Sequence, residues 1–157
     1  MGAFEYRQAQ EIRDCFQRHR IRYLFIGKSG AILLGFPDTT QDADLFVDKT
    51  AENCNALVAA LLELGFALND AQAAEVRRGK DFIQLKNGPF DLDLVFAPDG
   101  IERFADAWGR RVEVEGFPVC HIDDIIASKA ATNRQKDRDS LPRLRSFREY
   151  WLQHRAN

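Results

Sequence analysis

The sequence predicts an α/β fold of the α+β kind, with strands in the middle of the chain and helices at both ends. Three observations carry that reading. Apolar residues recur at helical spacing near the N-terminus, short apolar runs bounded by turn residues fill the middle, and a proline opens a polar, helix-forming C-terminal stretch. Taken in order, Phe4, Ile12, Cys15 and Phe16 predict a helix over 4–19. The apolar run 23–26, stopped by Gly27, predicts a buried strand. Ser29 is placed to cap a short helix over 31–34, closed by Gly35 and Pro37. Residues 43–47 form a second strand, and Thr50 caps a long helix to about Leu64 with Gly65 as its stop. The stretch 69–80 reads as a loop with a weak helical turn. Residues 81–86 and 90–96 flank Asn87-Gly88-Pro89 as a β-hairpin. A short helix over 101–108 follows, then a minor strand pair, 112–114 and 118–120, around Gly116. Asp123 or Asp124 opens a helix carrying Ile125, Ile126 and Lys129, and Pro142 suits the first turn of a last helix ending near His154.

The 157 residues are the size of one domain, read here as 1–157 with a C-terminal helical segment over 121–157. Hydrophobic residues at 45% and charged residues at 29% exclude wholesale disorder. The balance of 22 Lys+Arg against 24 Asp+Glu argues against nucleic-acid binding through global charge and leaves only a local basic patch. Cys15, Cys54 and Cys120 are widely spaced, without Cys/His ligand spacing, and His19, His121 and His154 are not expected to cluster with them. The expectation is a reduced, intracellular protein with buried free thiols and no structural zinc. Charges interrupt the N-terminus where a signal peptide needs an apolar run, and the most apolar stretch, 56–68, is broken by Glu63 and too short to span a bilayer. A cytoplasmic chain with no membrane partner is expected.

The chemistry is written in Gly27-Lys28-Ser29-Gly30, Asp42-Ala43-Asp44 and Asp91-Leu92-Asp93. Residues i and i+2 of a strand share a face, so Asp42 and Asp44 point the same way beside the apolar 45–47. Like charges that close repel unless a cation lies between them, and carboxylates with substrate phosphates are the ligands Mg²⁺ takes. The Asp91/Asp93 strand supplies a further carboxylate from elsewhere in the chain. A strand, the 27–30 turn and a helix start together present backbone N–H groups that suit phosphate, with Lys28 adding charge and Ser29 a hydroxyl. No Walker loop is present.

Together these residues resemble the nucleotidyltransferase superfamily of the DNA polymerase β type. The stretch FIGKSGAILLGFPDTTQDADLFV matches at Gly27, Gly35, Thr40, Asp42 and Asp44, with the third carboxylate at Asp93 and Asp91 as its understudy. The later HIDDIIASKAATNRQKDRDSLPRL is similar to the C-terminal helices of minimal bacterial nucleotidyltransferases related to AbiEii-type toxins. The resemblance implies a mixed sheet flanked by helices. It also implies Mg²⁺ or Mn²⁺ held by Asp42, Asp44 and Asp93, and an NTP as substrate. Asp93 would help to deprotonate an acceptor hydroxyl. Gly27, Lys28, Ser29 and Gly30 would hold phosphate, with Lys129 or Lys136 as further triphosphate contacts. Two departures stand out: Lys28 replaces the usual small residue, and Asp38 stands where relatives often carry arginine.

Residues 134–155 hold seven basic residues (Arg134, Lys136, Arg138, Arg143, Arg145, Arg148, Arg155) against three acidic ones, a surface for an RNA acceptor or simply a solvated helix face. Phe147, Tyr150 and Trp151 read as core. Three functions follow. The first is nucleotidyl transfer to RNA such as tRNA or to protein, within a toxin–antitoxin system that would add an antitoxin-type protein partner. The second is an inactive nucleotide- or partner-binding module, and the third is a small-molecule (antibiotic) nucleotidyltransferase, ranked last because a short chain encloses a pocket poorly.

Overall fold

The computed structural model describes residues 4–132 and 134–155, and the side chain of Lys136 lies outside the described residues. Helix α1 (Tyr6–Arg18) buries Ala9, Ile12, Cys15 and Phe16, the stripe its spacing predicts. Strand β1 (Tyr23–Phe25) follows, then α2 (Gly27–Leu33) and β2 (Asp42–Val47). Helix α3 (Ala51–Leu64) starts where the Thr50 side chain accepts the Asn53 N–H and ends at Gly65, whose φ of +104° only glycine adopts readily.

Residues 69–80 are not a loop. Asn69 and Gln72 cap each other's backbone N–H groups at 2.7 and 3.0 Å and start α4 (Asp70–Arg78), which packs on α3. The capping box outweighs the weak apolar pattern that obscures this helix in the sequence. The hairpin forms as β3 (Phe82–Leu85) and β4 (Asp91–Val95), followed by α5 (Phe104–Arg110), β5 (Val112–Val114) and β6 (Phe117–Val119). Helix α6 (Ile122–Thr132) has Asp123 and Asp124 in its first turn. Helix α7 (Gln135–His154) begins earlier than expected, so Pro142 lies inside it. Buried Asp137 holds that early turn, accepting from Thr132 Oγ1 at 2.7 Å and Arg134 Nε at 2.8 Å. Those bonds offset the hydrogen bond a proline removes from a helix interior.

The strands form one mixed sheet in the order β3-β4-β2-β1-β6-β5. The pairs β2–β4 and β1–β6 are parallel, and the three other neighbouring pairs are antiparallel. Tyr23, Phe25, Leu45 and Val47 share one face, where Tyr23 meets Phe16 of α1 edge-on at 4.8 Å. Phe46 lies on the other face against Phe104 of α5 at 5.1 Å, with α2 packed on β2 and α6 packed on α2. No described helix is long and apolar enough to cross a membrane.

Candidate active site

The parallel register of β2 and β4 sets Asp42 opposite Asp91 and Asp44 opposite Asp93. Register partners project from one face, so four half-buried carboxylates form a block at the N-terminal ends of two adjacent strands. Between them Ala43 and Leu92 turn the other way into the core, each 0% exposed. That alternation is why D-x-D tolerates an apolar strand. Asp91 therefore stands as a full member of the block.

The electrostatics are strained in the way a cation relieves. Loss of water around Asp44, the charge of Asp93 and a hydrogen bond with it push the Asp44 carboxyl well above the usual carboxylate range. Asp42 pushes the same way and Lys129 opposes. Asp91 Oδ1 is buried without a hydrogen-bond partner among the described residues. Hard oxygen donors in this arrangement fit Mg²⁺ or Mn²⁺.

The 27–30 segment divides into separate tasks. Gly27 has φ +64°, and a Cβ there would lie 2.5 Å from Asp44 Oδ2, so the backbone of α2 rests directly against the carboxylate. Ser29 is 2% exposed. Its Oγ donates to the Ile26 carbonyl at 3.1 Å and accepts the Asp44 N–H at 3.0 Å. Its hydroxyl thus ties α2 to β2 and offers nothing to phosphate, contrary to expectation, and Ile26 rather than Ser29 precedes the helix. Gly30 is also buried, where a Cβ would press to 2.9 Å on the Phe25 carbonyl oxygen, so it serves close packing.

Lys28 and Asp38, the two departures in the sequence, meet in space. Lys28 Nζ lies 3.3 Å from Asp38 Oδ2, which Arg143 Nη1 of α7 also approaches at 3.1 Å. Lys129 Nζ pairs with Asp137 Oδ1 at 3.4 Å while its charge still reaches Asp44, so it stands between α7 and the carboxylate block. Asp137 lies eight residues after Lys129 in the C-terminal stretch that carries the resemblance, and it takes no role of its own in the sequence reading. Next to the Lys28–Asp38 pair, a groove of about 620 Å³ opens between the Gly35–Phe36–Pro37 bend and α7, with Phe147 and Tyr150 in its lining. Tyr150 is 60% exposed and so not a core residue, whereas Phe147 and Trp151 are buried. Arg134 and Arg148 in the basic C-terminal stretch engage Asp137 and Asp123.

Among solved structures, the chain is similar to the crystal structure of a lincosamide antibiotic adenylyltransferase, LnuA, bound to lincomycin. The TM-score is 0.66 at 14% identity over 92% of this chain and 99% of that one. The chain has a nucleotidyltransferase-like fold. No family model matches it, and no curated protein matches its sequence. Within this fold the carboxylate block lies on β2 and β4, with the start of α2 against it.

One expectation about the cysteines fails. All three thiols are free and buried, but Cys15 is not isolated from histidine. Cys15, His19 and Glu63 bring their ligand atoms within 4.8 Å of one another. The i,i+4 spacing of Cys15 and His19 across the end of α1 is the signal that a search for CxxC patterns passes over.

Proposed function

We propose that the chain is a divalent-metal-dependent nucleotidyltransferase that moves a nucleoside monophosphate from an NTP to a hydroxyl acceptor. The observation that carries this reading is the register of Asp42/Asp91 against Asp44/Asp93, with Gly27 seated on Asp44. Asp42, Asp44 and Asp93 would hold Mg²⁺ or Mn²⁺. Such a cation, when bound, neutralises phosphate charge and acidifies the attacking hydroxyl. Asp93 takes the acceptor's proton as its oxygen bonds to the α-phosphorus; the bond to the β-phosphate bridging oxygen breaks and pyrophosphate leaves. Gly27 keeps the approach to Asp44 open. Lys129 supplies positive charge from the α7 side, and Lys28 supplies it on leaving Asp38. The gain is positioning and charge neutralisation.

The groove supports a small acceptor, a hydroxylated molecule with an apolar body, over RNA or protein. Its volume suits a drug-sized ligand, for which pockets run about 300–1,000 Å³, and its lining of Phe36, Pro37, Pro142, Phe147 and Tyr150 is largely apolar. Arg134, Arg143 and Arg148 of the basic C-terminal stretch pair with Asp137, Asp38 and Asp123 within the chain. The neighbour of the same fold is an antibiotic adenylyltransferase with lincomycin bound.

The test is incubation of the protein with each α-labelled NTP, Mg²⁺ or Mn²⁺, and separate pools of hydroxylated small molecules, total RNA and protein. Label on a small molecule, lost in Asp42→Ala/Asp44→Ala, is the expected result. Label on RNA or protein alone replaces the small acceptor with the macromolecular, toxin-type reading and its antitoxin-type partner. No transfer in any pool, with NTP still raising the melting temperature, leaves an inactive binding module.

A further inference from the structure

Cys15 lies in the last turn of α1 and His19 is the residue that caps its C-terminus, and Glu63 reaches them from the last turn of α3. Glu63 Oε1 lies 3.2 Å from His19 Nε2, and its Oε2 is held by Arg18. Cys15 is 1% exposed with its thiol against the Ala60 carbonyl oxygen at 3.4 Å. The His19 and Glu63 side chains keep 25% and 44% of their surface in solvent, so the group has a dry sulfur and a wet entrance.

We propose that Cys15 Sγ, His19 Nε2 and Glu63 Oε1 form a zinc site that clamps α1 to α3, with water as the fourth ligand. A tetrahedral zinc bonds sulfur at about 2.3 Å and nitrogen or oxygen at about 2.0–2.1 Å, which separates its ligand atoms by roughly 3.5 Å. The three atoms here lie within 4.8 Å of one another, so small rotamer shifts close the shell. A sulfur, an imidazole and a carboxylate form a set that selects zinc over Mg²⁺, the ion suited to the carboxylate block. The charges close as well: thiolate and carboxylate together balance Zn²⁺. On binding, one proton leaves Cys15 for solvent, the thiol gives up its contact with the Ala60 carbonyl, and the His19 Nε2–Glu63 Oε1 contact opens, the neutral imidazole keeping its proton on Nδ1 so that Nε2 meets the metal. Burial and the neighbouring Glu63 push the free thiol up to about 12, so in the absence of metal it stays protonated and inert. Arg18 on Oε2 leaves Oε1 for the metal and orients the carboxylate from outside the shell. The site is built from helices on the opposite side of the sheet from the carboxylate block, and it is independent of nucleotidyl transfer.

The test is titration of the purified full-length protein with Co²⁺, whose thiolate charge-transfer absorption reports sulfur coordination and cannot arise from the aspartates. One equivalent of Co²⁺ should produce that band, and one of Zn²⁺ should abolish it. Cys15→Ser should remove the band, His19→Gln should weaken binding sharply, and Arg18→Gln should weaken it about tenfold. Cys54→Ala and Asp44→Asn/Asp93→Asn should leave it intact. Far-ultraviolet circular dichroism shows which variants fold, and His19→Gln, at a partly exposed position, stands in if Cys15→Ser does not. No charge-transfer band in the wild type overturns the proposal, as does a band unchanged in folded Cys15→Ser or in His19→Gln.

Discussion

Gly27 adopts φ +64°, and a methyl group there would intrude on Asp44 Oδ2. Gly27→Ala therefore carries a left-handed penalty of about 1–2 kcal/mol and displaces the carboxylate beside it. Urea denaturation should show that loss, and the melting-temperature rise on adding Mg²⁺ and NTP should shrink or vanish. Asp44 itself works against the metal-free fold. Its carboxyl is raised by burial and by Asp93, so the folded state holds a proton the unfolded chain releases at the ordinary carboxylate value. Metal-free stability then falls as pH climbs from that ordinary value to the raised one, and stays low above it. Asp44→Asn should lose most of that slope without cation, and lose the stabilisation by Mg²⁺ and NTP, read from melting curves recorded across the pH range. The same slope of metal-free stability against pH in the two proteins would refute the repulsion. The D-x-D pair was legible in the sequence, because strand periodicity alone puts both acids on one face. That Asp91 and Asp93 oppose them residue for residue was not, since a parallel register between segments nearly fifty residues apart leaves no local trace.

At the scale of elements, the α6–α7 joint depends on Asp137, 0% exposed and shared by Thr132, Lys129 and Arg134. Burial raises its carboxyl, but hydrogen bonds from Arg134 and Thr132 and the charge of Lys129 outweigh it and hold it below the usual range. The stability it supplies is thus present above the ordinary carboxylate value and is lost as pH falls through the lowered one. Asp137→Ala should cost about 2–4 kcal/mol at pH 7, less than a fully buried pair because Arg134 is largely in solvent. Chemical denaturation at pH 7 and again in acid measures both, with the gap between mutant and wild type narrowing in acid. Asn69→Ala should cost about 1 kcal/mol through the lost α4 cap, read from the same curves. Helices α1 and α3 were legible from spacing and caps. Helix α4 was missed because only Val76 among its residues is buried, and the start of α7 because a buried salt bridge set it.

Across the whole molecule, Asp38 joins the α2–β2 connection to α7 by binding Lys28 and Arg143 at once. The Thr39 N–H at 2.7 Å and those two cations hold its carboxyl below the usual range, so the latch stays charged at neutral pH. Asp38→Asn frees Lys28 beside Gly27. It should lower the KM for NTP severalfold with less effect on kcat, by steady-state kinetics of the transfer reaction; an unchanged KM would mean that Lys28 does not meet the nucleotide. The groove between this latch and Tyr150 is assembled from residues more than a hundred positions apart.

The linear chain already contained most of the element types, most apolar faces and the acids that belong on one strand face, because these follow from periods of two and 3.6 residues and from caps a few positions away. Folding in three dimensions set the rest. It gave Ser29 a structural task, paired Lys28 with Asp38, brought Cys15 and His19 to Glu63, and completed the aspartate block across β2 and β4. Each of those outcomes depends on distances between segments remote in sequence, which are fixed by how one hydrophobic core packs and leave no periodic signature behind.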